Sequence, residues 1–218
     1  MKLAKFNEIG RSMVEMLGVL AIIGVLSVGA IAGYSKAMMK YKLNKQAQQL
    51  SHLLNVLHRY KHEWVFDSNN AIHLVPYYKE LGEIPSEIIK KGYTNTIYDV
   101  FGSSITMTTN YCDTNPCRAV ALGYISPAKN TFEVCNNIWD VIKSFQDNLE
   151  RVGVYKFVEN DDNPQYKYTY FGNKYCGSTN SNNRDCIKDI NKDVISGICK
   201  YCEDSTQCKF YVNYLIND

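Results

Sequence analysis

The sequence predicts an α+β protein in which a long N-terminal α-helix packs against an antiparallel β-sheet head that carries disulfides. First, the uncharged apolar run Met16–Gly33 leads into an amphipathic stretch without Pro or Gly, Ser35–Trp64. Second, short segments of strand-like alternation follow, separated by polar, turn-rich ones. Third, all 8 cysteines lie in the C-terminal half, a pattern typical of a disulfide-bonded domain in an oxidising compartment.

The composition gives little support to two classes of function. The chain has 218 residues with a net charge of +2, so no strong electrostatic field favours nucleic acid as a partner. It contains no Gly-rich phosphate loop, no nucleophile elbow and no zinc-protease motif. We therefore expect no enzyme activity, no catalytic residue and no cofactor.

The apolar run Met16–Gly33 has the length of a membrane helix. A helix of this length rises about 27 Å, close to the hydrocarbon thickness of about 30 Å. It is longer than the apolar core of a secretory signal, and no A-x-A-like cleavage site follows it. Lysines flank both ends, so charge does not settle the orientation. A disulfide-bonded domain has to lie outside the cytoplasm, which predicts that the N-terminus lies inside.

The residues at the start of this run are the most specific signal. Met13 and Val14 extend the run on its N-terminal side, and Glu15 lies between them and Met16. An unsatisfied carboxylate there costs about 2–3 kcal/mol and suggests a function; the alternative is a side chain that snorkels to the interface. The stretch IGRSMVEMLGVLAIIGVLSVGAIAGY resembles the N-terminus of type IV prepilins and pseudopilins. The resemblance implies a leader ending at Gly10, cleavage before Arg11, N-methylation of the new amino terminus, and a role for Glu15 in assembly. Arg11 departs from the Phe, Met, Leu or Val usual at that position.

Four glycines interrupt the apolar helix: Gly18, Gly24, Gly29 and Gly33. Each weakens a helix in water by about 1 kcal/mol relative to Ala. In lipid, small residues let helices approach closely, and Gly29 and Gly33 have the small-xxx-small spacing. These positions predict helix packing in a filament core, and generic membrane-helix packing is the alternative.

The second half of the helix is amphipathic, and we expect one helix from about Ser12 to Phe66. Its apolar residues recur at intervals of three, four or seven: Leu43, Ala47, Leu50, Leu54, Leu57 and Trp64. This stripe predicts packing on a head domain. A dimeric coiled coil is the alternative, but the stripe is short and has few flanking charge pairs.

The head is expected to begin with a loop at residues 71–100 and to contain five strands. A short helix is expected near Pro85–Ile89. The predicted strands lie near Ser104–Thr109, Ala119–Tyr124, Val152–Val158, Tyr166–Phe171 and Lys209–Ile216. The segments Tyr98–Ile105 and Ala121–Ile142 are similar to the start of the sheet, and to the strand and helix that follow it, in type IVb pilins.

The cysteines allow 105 connectivities, so their spacing alone leaves the pairing open. Short loops favour Cys112–Cys117 and Cys176–Cys186. The resemblance implies that Cys135 pairs with a cysteine near the C-terminus, and we expect Cys135–Cys199 with Cys202–Cys208. A zinc or redox site at Cys199-x-x-Cys202 with Cys208 is the rival, but no second CxxC and no nearby His supports it.

Two other segments have some metal-binding character, and no metal site is predicted from either. His58 and His62 have a ligand spacing on a helix but no evident third ligand, so we interpret them as a solvated face. Asp161–Asn163 has the composition of part of a calcium loop, and a polar turn before Pro164 is the simpler interpretation.

The predicted domains are a leader peptide at 1–10, a transmembrane and filament-core helix at 11–34, its amphipathic continuation at 35–66 and an extracytoplasmic head at 67–218. The resemblance implies a structural subunit of a bacterial type IV pilus-like filament that serves adhesion, aggregation, secretion or uptake. Its implied partners are other pilin subunits, a prepilin peptidase, the inner-membrane assembly machinery and, before assembly, membrane lipid. The alternative is a single-pass sensor or ligand-binding protein with a disulfide-rich head.

Overall fold

The architecture is that of a computed structural model of the chain. It describes residues 7–64, 70–109, 119–127, 131–157, 167–177, 184–203 and 207–215, although not every side chain within them. The helices are α1 (Asn7–Tyr60), α2 (Val75–Glu80), α3 (Thr131–Ser144) and α4 (Lys192–Glu203). The strands are β1 (Ile97–Tyr98), β2 (Ser104–Thr109), β3 (Ala119–Pro127), β4 (Arg151–Phe157), β5 (Lys167–Gly172), β6 (Arg184–Cys186) and β7 (Gln207–Leu215). The chain divides into two compact units, residues 1–42 and 43–218.

The long N-terminal helix is confirmed, with different ends. The described helix already includes Asn7, inside the predicted leader, and it ends at Tyr60 rather than Phe66. His58 and Arg59 lie in its last turn, where basic side chains complement the helix dipole. The chain leaves the helix at Tyr60, and the Trp64 ring then packs edge-on against α2, with its centroid 4.7 Å from that of Tyr77.

The head is a seven-stranded sheet with the order β1-β2-β3-β7-β4-β5-β6. All five predicted strands are present, and the C-terminal strand β7 lies in the middle, between β3 and β4. One pairing differs from the expected antiparallel sheet, because β6 runs parallel to β5. The disulfide Cys176–Cys186 joins β6 to the turn after β5, which explains why so short a strand lies at that edge.

The interior is one hydrophobic core beneath the sheet. A row of side chains in register crosses five strands, each at most 1 % exposed: Met107, Leu122, Val212, Val152 and Phe171. α3 adds Trp139, whose ring stands edge-on to Phe171 at 5.1 Å between centroids. α1 adds the buried part of its stripe, which includes Leu50, Leu54 and Leu57. The prediction that the amphipathic half of the helix packs on the head is confirmed.

A buried glutamine connects α1 to three other parts of the head. The Gln46 side chain is 1 % exposed. Its Nε2 donates to Asp99 Oδ2 at 2.9 Å and to the Tyr124 hydroxyl on β3 at 2.5 Å. Its Oε1 accepts from Asn137 Nδ2 on α3 at 2.8 Å. Since one amide satisfies partners on three elements, it fixes the axial position of this part of α1 on the sheet.

The Asp99 carboxylate organises the turn between β1 and β2. Its Oδ1 accepts from the backbone N–H of Phe101 at 2.9 Å and of Ser103 at 2.8 Å, and the Tyr124 hydroxyl donates to Oδ2. Gly102 has a φ of +81°, which suits glycine, and its N–H donates to the Asp99 carbonyl at 3.0 Å. The segment identified from sequence as the start of the sheet is therefore a hairpin whose turn is held from inside the core.

Replacing Asp99 by alanine should destabilise the head strongly. It removes the acceptor for two backbone amides and for Gln46, and a buried donor left unsatisfied costs about 1–3 kcal/mol. We expect Asp99→Ala to lower the free energy of unfolding by about 2–4 kcal/mol in urea titrations followed by tryptophan fluorescence. The control is Asp147→Ala, because this side chain is 74 % exposed and pairs with Lys188 on the surface. Equal effects of the two variants would contradict the role given to Asp99.

Two buried tyrosines should make the head sensitive to alkali. Burial, reinforced by the nearby Asp99 carboxylate, raises the pKa of Tyr124 well above the usual 10.0, and burial likewise raises the pKa of Tyr78. The contribution of each buried tyrosine to the free energy of unfolding is complete below about pH 10 and decreases above it, because the unfolded chain then loses protons that the folded chain keeps. Each of the two tyrosines steepens the decrease of the free energy of unfolding with pH by up to about 1.4 kcal/mol per pH unit.

We expect Tyr124→Phe and Tyr78→Phe to flatten the dependence of the unfolding free energy on pH between about pH 10 and 11.5. Urea titrations at several pH values measure this slope. Tyr93→Phe is the control, because that ring is 53 % exposed. If the slopes of all three variants matched that of the wild type, these two tyrosines would not cause the alkali sensitivity.

Candidate membrane-spanning and assembly helix

The first half of α1 presents an apolar surface that the chain itself does not cover. Between Met13 and Tyr34 every large apolar side chain is 53–75 % exposed. By length and composition, α1 is the single helix in the described part of the chain that is apolar enough to cross a membrane. Its apolar 18-residue stretch has a mean hydropathy of 2.4, and none of that stretch is buried. So large an apolar surface requires lipid or other protein chains to cover it.

The residues predicted for cleavage and assembly all lie on α1. Gly10 and Arg11 belong to the first described turns of α1, and the Arg11 side chain is not among the described ones. Glu15 is exposed and is the single charged residue between Met13 and Tyr34. A carboxylate inside a membrane-spanning helix is costly unless a partner or a functional state satisfies it.

Three of the four helix glycines share a face with Glu15. Gly18 follows Glu15 by about 3 residues, Gly29 follows Gly18 by about 11, and Gly33 follows Gly29 by about 4. Each spacing is close to a whole number of helical turns, whereas Gly24 falls on the opposite side of the helix. A Cβ atom at any of the four would meet no atom of the chain within 4 Å. The fold of a single chain therefore does not require these glycines, and their small size matters for contacts with lipid or with other helices.

The disulfides of the head agree with the prediction wherever the structure describes them. Cys135 on α3 bonds to Cys199 on α4, and Cys176 bonds to Cys186. Cys135–Cys199 closes a sequence separation of 64, which stabilises by about 4 kcal/mol in the chain-entropy model. Cys112 and Cys117 lie outside the described residues, and so do the side chains of Cys202 and Cys208. Disulfides are typical of an oxidising compartment, such as the space outside the cytoplasm.

The described residues do not bring a metal-binding group together. His58 is partly buried on α1, whereas His62 lies in the turn after the helix has ended, so the two do not share a helical face. Burial, with the nearby charges of Lys61 and His62, lowers the pKa of His58. No group of three or more His, Cys, Asp or Glu in the described part is arranged to hold a metal ion. Asp161–Asn163 lies outside it.

Comparisons with known proteins found no match to this chain. No protein-family model, no curated protein and no solved structure matches this chain. The long apolar helix, the largely antiparallel sheet and the two described disulfides are compatible with a pilin-like architecture.

Enlarging the glycine face of the helix should affect contacts between chains and spare the head. A Cβ added at Gly29 or Gly33 meets no atom within 4 Å outside the neighbouring helix backbone, so in Gly29→Leu/Gly33→Leu the thermal unfolding of the head should be unchanged. Association of the helices should weaken about tenfold, because bulky residues prevent close backbone approach.

Fluorescence energy transfer between labelled chains in lipid vesicles measures this association. Gly24→Leu is the matched control on the opposite face of the helix and should keep the wild-type association. If Gly29→Leu/Gly33→Leu associated as strongly as this control, or melted at a lower temperature, the face defined by Glu15 and the glycines would not be a contact surface.

Proposed function

We propose that this protein is the structural subunit of a bacterial type IV pilus-like filament, of the type IVb kind, assembled outside the cell through its N-terminal helix. One observation carries the proposal: an apolar helix, uncovered by its own chain and bearing a single carboxylate near its start, continues as the α-helix on which a disulfide-bonded head is built.

The apolar surface of α1 is covered by lipid before assembly and by other subunits after it. Before assembly, lipid covers Met13–Tyr34, as in any single-pass anchor. In the filament, the same surface is covered by the helices of other copies, and the face with Gly18, Gly29 and Gly33 allows them to approach closely. A monomeric anchor would have no use for such a face, whereas a filament packs every subunit through its helix; because generic helix pairing in a membrane uses small residues too, the face supports the filament together with Glu15.

Glu15 also distinguishes a filament subunit from an anchor. A carboxylate at this depth costs about 2–3 kcal/mol unless it is satisfied, and a plain anchor has no need of one. In the proposed assembly, a peptidase cleaves after Gly10 and leaves the new amino group at Arg11 four residues from Glu15. An amino group of a neighbouring subunit then offers the carboxylate a cation within the same apolar layer. This pairing between subunits favours the addition of a subunit in the correct register.

Details of the head support the pilin assignment. The segment Tyr98–Ile105, which resembles the beginning of the sheet in type IVb pilins, forms the β1–β2 hairpin. The segment Ala121–Ile142, which resembles a strand followed by a helix, spans most of β3 and α3. Cys135 on that helix bonds to a cysteine in the C-terminal part, as the resemblance implies.

The assembly role of Glu15 is tested by filament yield. Cells that express Glu15→Gln in place of the wild type should release at least about tenfold less filament into the sheared fraction, since losing about 1.4 kcal/mol per added subunit is a tenfold change in its equilibrium constant. Electron microscopy and immunoblotting of that fraction provide the measurement.

Glu63→Gln, an exposed glutamate beyond the end of α1, is the matched control and should assemble normally. The unfolding of the Glu15→Gln head, measured in detergent, should equal that of the wild type. Normal filaments from Glu15→Gln would show that this carboxylate does not drive assembly.

A further inference from the structure

The head contains an open groove that the filament proposal does not use. It has a volume of about 580 Å³ and lies between α2 and the segment 89–94. α2 contributes Lys79 and Glu80, and the segment contributes Lys90, Lys91 and Tyr93. A groove of this size fits within the range of small-molecule sites, about 300–1,000 Å³.

The groove has an excess of positive charge. Its three lysines face one carboxylate, that of Glu80. Within the part of the chain that the structure describes, Lys79 and Lys91 form no ion pair. Both side chains are exposed, so their ammonium groups are available to an anionic ligand.

An aromatic ring in the groove is held in position. Tyr93 is 53 % exposed, and its ring stands edge-on to Tyr98 at 5.0 Å between centroids. Lys90 Nζ lies 4.0 Å from the centroid of the Tyr98 ring. Gly92 has a φ of +90°, which lets the chain turn so that the Tyr93 N–H donates to the Lys90 carbonyl at 3.3 Å. Tyr93 is thus braced while much of its ring remains accessible.

We propose that this groove binds an acidic saccharide, a sugar unit that carries a carboxylate. The carboxylate pairs with Lys79 and Lys91, and the apolar face of the sugar ring stacks on Tyr93. The charge favours an anion, and the single accessible ring favours a ligand with one apolar face. A nucleic-acid strand is less suitable, because single-strand sites need a basic groove that follows several nucleotides, and here the three lysines are confined to one cavity. The proposal goes beyond filament assembly, since it concerns what the head recognises.

Isothermal titration calorimetry on the full chain in detergent micelles tests this. The probe is digalacturonate, and maltose is the neutral disaccharide control. We expect digalacturonate to bind with a Kd of about 0.1–1 mM. Its affinity should fall as salt is raised, because the ionic contacts are exposed. Maltose should bind at least about tenfold more weakly.

The variants separate the two kinds of contact. Lys79→Ala/Lys91→Ala should weaken digalacturonate binding about tenfold. Tyr93→Ala should weaken it about fivefold, whereas Tyr93→Phe, which keeps the ring, should bind as the wild type does. Lys192→Ala removes an exposed lysine on α4 outside the groove and should have no effect. All of these side chains are exposed, and circular dichroism verifies that each variant folds.

Three results would overturn the proposal: no heat of binding with digalacturonate up to about 10 mM, equal binding of maltose, or equal affinity of the lysine variant and the wild type. Tighter binding of a ten-residue oligothymidylate, lost in the same lysine variant, would assign the groove to nucleic acid instead. None of these results bears on filament yield, so failure here is distinguishable from failure of the assembly proposal.

Discussion

The hydrogen bonds of Gln46 are the constraint on which the head depends. The Asp99 carboxylate is buried, and a buried charge is tolerated only when donors surround it. Those donors come from the turn itself, from Tyr124 on β3 and from Gln46 on α1. A shift of α1 by one residue would break these bonds and leave several polar groups unsatisfied. Apolar contacts are not directional, whereas hydrogen bonds are, so the polar cluster adds specificity to the docking of α1.

Covalent bonds reinforce this arrangement on the other side of the core. Cys135–Cys199 ties α3 to α4, and the Lys143 ammonium at the end of α3 donates to the carbonyls of Ile187 and Ile190 at 3.3 and 2.9 Å. α3 in turn reaches α1 through Asn137, which donates to the Leu43 carbonyl and to Gln46. The amphipathic half of α1 therefore belongs to the cross-linked head, while its apolar half is left for lipid or for other chains to cover.

The sequence predicts those parts of the fold that repeat a pattern over several residues. The stripe of α1 and the five longer strands have such patterns, and short loops limit the plausible partner of Cys176. β1 and β6 have only two and three residues, too few for an alternation to be visible, and α2 has six residues, less than two helical turns. The position of Gln46 is visible in the sequence, because it lies three residues after Leu43 and four before Leu50, on the buried face of the helix. Lys79 and Lys91 carry no such signal, since only folding brings α2 and the following loop together.

The central claim is that this chain is a processed filament subunit, and the mass and N-terminal sequence of the mature protein test it most directly. The measurement requires protein recovered from the membrane and from the sheared extracellular fraction of the cells that produce it. The account predicts that the mature chain begins at Arg11, with a mass lower by that of residues 1–10. A chain in the membrane that still begins at Met1, with nothing recovered outside the cell, would contradict it.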